Sequence, residues 1–291
     1  MDLNTNESKD VEPLVSVLMT SYNRQQFIAE SIESVLASTY TNFELIISDD
    51  ASIDQTLAIA SQYASGDSRI KVYRNEVNLG QFANRNKAAS YAKGKYLKYV
   101  DSDDIIYPFT LQVMVEGMKL FPDAGLGFCL TFGPCKKPIP YIIDPPTAFQ
   151  QHFFEGGLLF VGPSGIIIKR MAFEIVNGFE EFGMPSDNHF SLKIAAKYPV
   201  VAMTRDLFWW RIHEDQVFVQ NKKNYDNILN NYESSKDIIL KHSPLSRELN
   251  KKMLRNQQKI FFVNLIRLVF KKFKPFIAIK LFLKFNRNNS N

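Results

Sequence analysis

Residues 95–108 read KYLKYVDSDDIIYP. The first six form a strand-like run, and they pass without a turn signal into DSDD, 101–104. Pro108 suits the first turn of a helix that follows. The same unit recurs toward the N-terminus. IKVY (70–73), FELIIS (43–48) and VSVLM (15–19) read as strands, the last two as continuous buried runs. Between them lie helical patterns. Phe27, Ile28, Ile32, Val35 and Leu36 share one face, with Asn23 placed to cap. Ser52 is placed to cap a helix running to about Ala64, and a helix over roughly 81–93 ends at Gly94. Strand alternating with helix predicts a parallel sheet covered on both faces, with ligands at the carboxyl ends of the strands. Three polar clusters fall on those ends: Thr20-Ser21-Tyr22-Asn23, Asp49-Asp50 and Asp101-Ser102-Asp103-Asp104.

Beyond residue 120 the pattern is mixed. GLGFCLTF (125–132), GIIIKR (165–170) and VVAMT (200–204) read as strands, and NHFSLKIAAKY (188–198) as a helix. From 221 onward the chain reads helical, with breaks near Ser243-Pro244 and at Pro275. The expected organisation is a leader over 1–13, an α/β body over 14–217 divided near 120, and a helical extension over 218–291. The 291 residues are 45% hydrophobic and 22% charged, a globular balance. Cys129 and Cys135 are too few for a disulfide scaffold and wrongly spaced for a zinc knuckle. No apolar run approaches the roughly 20 residues of a membrane span. The polar start MDLNTNESKDVEP lacks the apolar segment of a signal peptide, so a reducing, cytosolic setting is expected.

Charge divides the chain. Residues 251–291 hold eleven Lys/Arg and no Asp or Glu, which leaves 24 basic against 30 acidic groups in residues 1–250. An acidic body carries a basic tail, so the overall net charge of +5 describes neither part.

Adjacent carboxylates at a strand end repel one another unless a cation joins them. DSDD therefore suits Mg²⁺ or Mn²⁺ shared with a diphosphate, the alternative being an acidic turn that caps the next helix. Other chemistries lack their motifs. There is no P-loop, no G-x-G-x-x-G, no Gly-rich nucleotidyltransferase loop after the first strand, no G-x-S-x-G and no H-E-x-x-H.

VSVLMTSYNR, FELIISDDAS and KYLKYVDSDDIIYP, in this order and spacing, resemble the nucleotide-binding half of family 2 glycosyltransferases with the GT-A fold. The match covers residues 14–108 and continues more weakly to about 217. The resemblance implies a Rossmann-like, mostly parallel sheet flanked by helices, and inverting transfer from a nucleotide-sugar, most simply a UDP-sugar. Thr20 and Tyr22 match residues that flank the base, and Asp50 the carboxylate that accepts its imide N–H. Arg85 matches an arginine near the nucleotide, or is a solvated helix charge. Asp103 matches a direct metal ligand, Asp101 a residue serving the ribose or a metal-bound water, and Asp104 a further acid. In the second half GPSGIIIKR (162–170) resembles the acceptor-facing strand, which puts Ser164 on the acceptor side. MPSDNHFSLKIA (184–195) places Asp187 at the catalytic base, though Ser186 stands where the family often has Glu or Gly. Asp187 as a plain helix cap is the other reading. In WWRIHEDQ (209–216) His213 falls on a metal or diphosphate contact, or is structural. Trp209 and Trp210 line the acceptor site or belong to the core.

In the tail, KIFFVNLIRLVFKKFK (259–274) sets Arg267, Lys271 and Lys274 near Asn264, with Phe262, Leu265, Ile266, Val269, Phe270 and Phe273 opposite. FIAIKLFLKF (276–285) resumes the pattern with Lys280 and Lys284. Such helices suit an anionic membrane surface, or else pack on the body with their lysines in solvent. Nucleic acid is not expected as a partner, since no stacking platform accompanies the charge. The expectation is an inverting, Mn²⁺- or Mg²⁺-dependent sugar transferase acting on a glycan or lipid-linked acceptor, peripheral on the inner face of the cell membrane. The alternative is a non-catalytic sugar-nucleotide- or membrane-binding protein of the same fold.

Overall fold

The computed structural model describes residues 12–130, 137–214, 216 and 224–289. Val15–Ser21 forms β1, and six of its seven residues are buried. Burial on both faces marks a central strand. β1 pairs in parallel with β2 (Phe43–Asp49) on one side and β4 (Tyr96–Tyr99) on the other, while β2 pairs in parallel with β3 (Ile70–Arg74). The register Ser21↔Asp49 brings the ends of β1 and β2 level.

The sheet continues as β8 (Ile166–Lys169), β6 (Leu126–Cys129), β9 (Val200–Met203) and β7 (Tyr141–Ile143). β8 runs antiparallel to both β4 and β6. The first half of the sheet is parallel, as expected, and the whole is mostly parallel; the antiparallel pairings fall in the second half, where a short apolar run carries no sign of its direction. A separate ribbon pairs β5 (Ile105–Ile106) with β10 (Phe208–Trp209), directly after the DSDD turn.

Alternate residues of each strand feed two layers. Val15, Val17, Met19, Leu45 and Ile47 pack against α1 (Ile28–Leu36), α2 (Thr56–Gly66) and α4 (Thr110–Leu120). Leu18, Ile46, Leu97 and Tyr99 face α3 (Gln81–Ser90), α5 (Pro145–Phe154), α6 (Arg170–Ile175) and α7 (Ser186–Ala195). Each large side chain buried this way contributes about 1.5–3 kcal/mol.

Three expected helix ends are corrected. Neither Asn23 nor Ser52 caps a helix: α1 and α2 begin after Phe27 and Gln55 without a side-chain cap. Asn23 N–H donates to Ser52 Oγ at 3.0 Å, and Ile53 N–H to Asn23 Oδ1 at 3.0 Å. With Arg24 N–H on Thr56 Oγ1 at 2.7 Å, these bonds join the β1–α1 loop to the β2–α2 loop. Gly94 is not a C-cap either, since α3 ends at Ser90. It lies where the chain enters β4 alongside the start of β1, and a Cβ there would meet Ser16 N at 2.5 Å and Leu14 O at 2.8 Å.

The C-terminal extension is α8 (Asn227–Lys241), α9 (Arg247–Phe270) and α10 (Pro275–Asn289). Ile238 and Ile239 of α8 enter the core of the body, with Met253 of α9. The other end of α8 supplies Leu229 and Tyr232 to a separate core shared with α9 and α10. No helix among the described residues is long and apolar enough to cross a membrane. Cys135 and the expected division at 217/218 lie outside the described residues.

Candidate active site

The DSDD turn leaves β4 and closes on itself, Asp104 N–H donating to Asp101 O at 2.9 Å. It is held from below. Ser164 is buried and its hydroxyl accepts Asp101 N–H at 3.1 Å. Lys98 is wholly buried and donates to Tyr99 O at 3.1 Å and to Ser164 O. Burial pulls the Lys98 ammonium down to about 8. Ser164 was expected to face an acceptor. At 1% exposure it supports the acidic turn instead, and it can do so from two residues before β8 because β8 lies beside β4.

Arg85 is 1% exposed, so the solvated-charge reading fails. Its guanidinium lies about equally far from the Phe82 and Phe179 rings, at 5.5 and 5.6 Å, and Tyr99 Oη donates to its backbone carbonyl at 3.0 Å. One Nη donates to Asp101 Oδ1 at 2.9 Å and the other to Asp187 Oδ1 at 2.6 Å. Burial disfavours the cation, but the Asp187 and Asp101 carboxylates more than offset that and hold Arg85 protonated. Asp187 sits in the first turn of α7 and caps nothing; that helix has no side-chain cap, and Ser186 Oγ accepts Phe182 N–H at 2.7 Å. Burial, together with Asp101, pushes the Asp187 carboxyl up to about 6 against the pull of Arg85.

Asp103 belongs to a second group. Its Oδ2 receives Arg24 Nε at 3.1 Å and faces His213 Nε2 at 3.0 Å. The His213 ring packs on Phe27 with centroids 4.4 Å apart. Arg211 closes the group: its N–H reaches Asp104 Oδ1 at 3.3 Å, its Nε reaches Asp103 O at 2.9 Å, and an Nη reaches Glu30 at 2.6 Å. Asp104 is buried; that burial, then Asp101 and Asp103, pushes its carboxyl up to about 8. Trp209 and Trp210 are about half exposed and so are not core, and Arg211 lies 4.8 Å from the Trp209 ring centroid.

Asp50 lies at the end of β2, bonded through its N–H to Ser21 O at 2.8 Å. Its carboxylate accepts from Asn75 Nδ2 at 2.9 Å, Leu79 N–H at 2.9 Å and Gly80 N–H at 3.0 Å. A carboxylate has about four acceptor directions, so roughly one remains for a ligand N–H. Half-buried Thr20 and exposed Tyr22 flank Ser21 on the neighbouring strand end.

The structure therefore joins Asp101 to Asp187 through Arg85, and Asp103 to His213 beside Arg24, all at the turn after β4. Arg24, Arg211 and Lys98 carry no role in the sequence reading. Arg24 and Arg211 stand inside the quoted motifs, but nothing in a linear pattern shows that they reach Asp103, 79 and 108 residues away, Arg24 at its carboxylate and Arg211 at its backbone carbonyl. A further His/acid set, Glu180, His189 and Asp237, lies between α7 and α8. Lys193 and Lys241 already pair with its carboxylates, so it is neutralised without an ion.

The sequence profile of glycosyl transferase family 2 matches residues 16–176, more than half of the chain. The chain belongs to glycosyl transferase family 2. A relative from Escherichia coli, the UDP-Glc:alpha-D-GlcNAc-diphosphoundecaprenol beta-1,3-glucosyltransferase WfgD, is 42% identical over 105 residues, 36% of this chain and 41% of WfgD. The match spans less than half the length of the first curated relatives. Among solved structures, Staphylococcus aureus TarS 1–349 in complex with UDP-GlcNAc superposes with a TM-score of 0.67 at 20% identity, covering 88% of this chain and 73% of TarS 1–349. The mannosyltransferase PcManGT from Pyrobaculum calidifontis, in complex with GDP-Man and Mn²⁺, gives 0.58 at 17% identity, covering 89% and 76%. The family 2 member thus has a GT-A-like fold, with its acidic turn at the carboxyl edge of the sheet.

Proposed function

We propose that this family 2 member transfers a sugar from a nucleoside-diphosphate sugar, a UDP-sugar, to a hydroxyl of a glycan or lipid-linked glycan, with inversion. The observation that carries the reading is Arg85, buried and bridging Asp101 of the acidic turn to Asp187. One cation thereby holds a proton acceptor beside the strand end where a diphosphate would lie. With its carboxyl at about 6, Asp187 is mostly ionised at neutral pH, yet basic enough to take a proton from an acceptor hydroxyl. Attack on the anomeric carbon from the face opposite the leaving group inverts configuration. Asp50, with Thr20 and Tyr22, receives the base.

Asp103 and His213 suit Mn²⁺ or Mg²⁺. An oxygen and a nitrogen donor already face one another at 3.0 Å, and so few protein ligands leave positions for diphosphate oxygens. Asp101 stands near as a further acid. A bound cation would supply charge neutralisation of the leaving diphosphate. Arg24 and Arg211, held at the same turn, add positive charge from the chain itself. Trp209, exposed beside the turn, is offered to the acceptor.

UDP as the nucleotide is supported by the WfgD name and by the TarS complex, and a lipid-linked acceptor by the WfgD name. The Mn²⁺ complex of PcManGT supports the cation. On this reading the protein works in the cytoplasm, peripheral on the inner face of a membrane. A panel of nucleotide-sugars incubated with Mn²⁺ and scored by released nucleoside diphosphate tests the reading. Turnover of a UDP-sugar that Asp187→Asn lowers by about 100-fold or more is expected. Binding of the panel without turnover of any member would leave a non-catalytic sugar-nucleotide-binding protein.

A further inference from the structure

The hairpin of α9 and α10 has two apolar faces, and only one is buried. Phe261, Leu265 and Leu268 of α9 and Ala278, Leu281 and Phe285 of α10 close on Leu229 and Tyr232 of α8. The packed-helix reading is therefore satisfied by these residues alone. A second set points outward: Val263, Ile266 and Phe270 on α9, Phe273 in the turn, and Phe276, Ile279 and Leu283 on α10. Of the 26 exposed large hydrophobics among the described residues, ten fall within 260–283. Single exposed apolar residues are ordinary, but a concentration of this kind marks an interaction surface.

The exposed residues of the two helices meet at one seam, and cations run among them. Phe262 and Phe282, both partly exposed, meet across the helix seam with ring centroids 6.4 Å apart. Along α10, Phe276, Ile279 and Leu283 alternate with Lys280, Lys284 and Arg287 around a shallow groove of about 420 Å³. At 1.5 Å per residue this stripe is about 20 Å long, enough to lie along a surface. Residues 251–291 hold eleven cations and no acid, and of the three named here Lys284 pairs with Asp226 of α8 at 3.0 Å.

We propose that the outward face of the α9–α10 hairpin is a docking surface for an anionic lipid bilayer. Apolar side chains enter the boundary between headgroups and acyl chains, and the flanking lysines and arginines meet lipid phosphates. Lying flat agrees with the absence, among the described residues, of a helix able to cross. A second copy fits less well, because it would set the Lys280 and Arg287 cations of one face against those of the other. Nucleic acid fits less well, because Val263, Ile266, Ile279 and Leu283 set aliphatic groups, which offer bases no stacking, between the exposed phenylalanines. The proposal deepens the membrane-side part of the function above, and its test requires no turnover.

The full chain is floated with phosphatidylcholine vesicles containing or lacking phosphatidylglycerol, at low and high salt. Beside it run Phe276→Ser/Ile279→Ser/Leu283→Ser and Lys280→Glu/Arg287→Glu, whose exposed positions leave the folded core intact, as circular dichroism and Tm verify. The parent is expected to float with anionic vesicles at low salt and to lose about ten-fold in partition at high salt. Each variant is expected to lose about ten-fold or more at low salt. No flotation on anionic vesicles at low salt overturns the proposal, as does an apolar variant that floats like the parent. Self-association removed by the same substitutions, or tighter binding to single-stranded RNA than to vesicles, would assign the face to a second copy or to nucleic acid. Flotation by a protein that turns over no nucleotide-sugar would keep this proposal and remove the catalytic one.

Discussion

Arg85 reaches Asp187 across 102 residues of sequence, its Nη1 donating to Oδ1 at 2.6 Å. The same side chain holds Asp101, so the acidic turn after β4 and the first turn of α7 share one buried cation. Two halves of the sheet meet at this bridge, and the predicted chemistry depends on it.

Asp187→Asn keeps shape and removes the proton acceptor. It is expected to lower kcat by about 100-fold or more with donor affinity nearly unchanged. The parent's kcat/KM should fall roughly ten-fold per pH unit below about 6, where the carboxyl gains a proton, and hold above it. Steady-state kinetics from pH 5 to 8 check both points. A mutant with parental kcat would remove Asp187 from catalysis.

Replacing Arg85 by Met leaves burial and Asp101 unopposed at Asp187. The carboxyl then rises further, and the acid limb of kcat/KM should move to higher pH. Because both carboxylates are partly exposed, the loss of stability is expected near 1–3 kcal/mol, measured by urea unfolding. Arg85→Lys, which restores a charge but not the fork, should recover part of each. An unmoved limb would make Arg85 structural only.

At Asp103 the expected signature is metal dependence. Asp103→Ala should weaken UDP binding in the presence of Mn²⁺ and have little effect in its absence. Calorimetry with and without Mn²⁺ decides this, and equal UDP affinity of the parent under both conditions would argue against a shared cation.

Gly94→Ala tests the close approach to the start of β1. A methyl group would sit 2.5 Å from Ser16 N and 2.8 Å from Leu14 O, and both are backbone atoms that can yield only by moving the strand. A loss of about 2–4 kcal/mol is expected from chemical denaturation. An unchanged midpoint would show that the edge of β4 relaxes freely.

The parallel strands of the first hundred residues were legible because buried runs such as VSVLM and FELIIS alternate with amphipathic helices, while their order in the sheet, β3-β2-β1-β4, came only from the structure. The acidic strand end followed from the same pattern, as did α8, α9 and α10, whose breaks lie at Pro244 and Pro275. Three further things were decided only in the folded chain. The direction of β8 came from which neighbours it pairs with, and that put Ser164 beneath Asp101 and not toward an acceptor. Asn23 and Ser52 bond to each other's loops, because at two adjacent strand ends a partner across the gap competes with the local helix end. Arg85, Arg24 and Arg211 find their acids (Asp101 and Asp187, Asp103, and Glu30) through packing, and the α9–α10 hairpin divides its apolar residues between a buried and an open face. Periodicity reports which residues share a side of one element. Which side meets the core, and which charge is taken out of water beside which other, depends on elements far away in sequence, and so only the tertiary structure settles it.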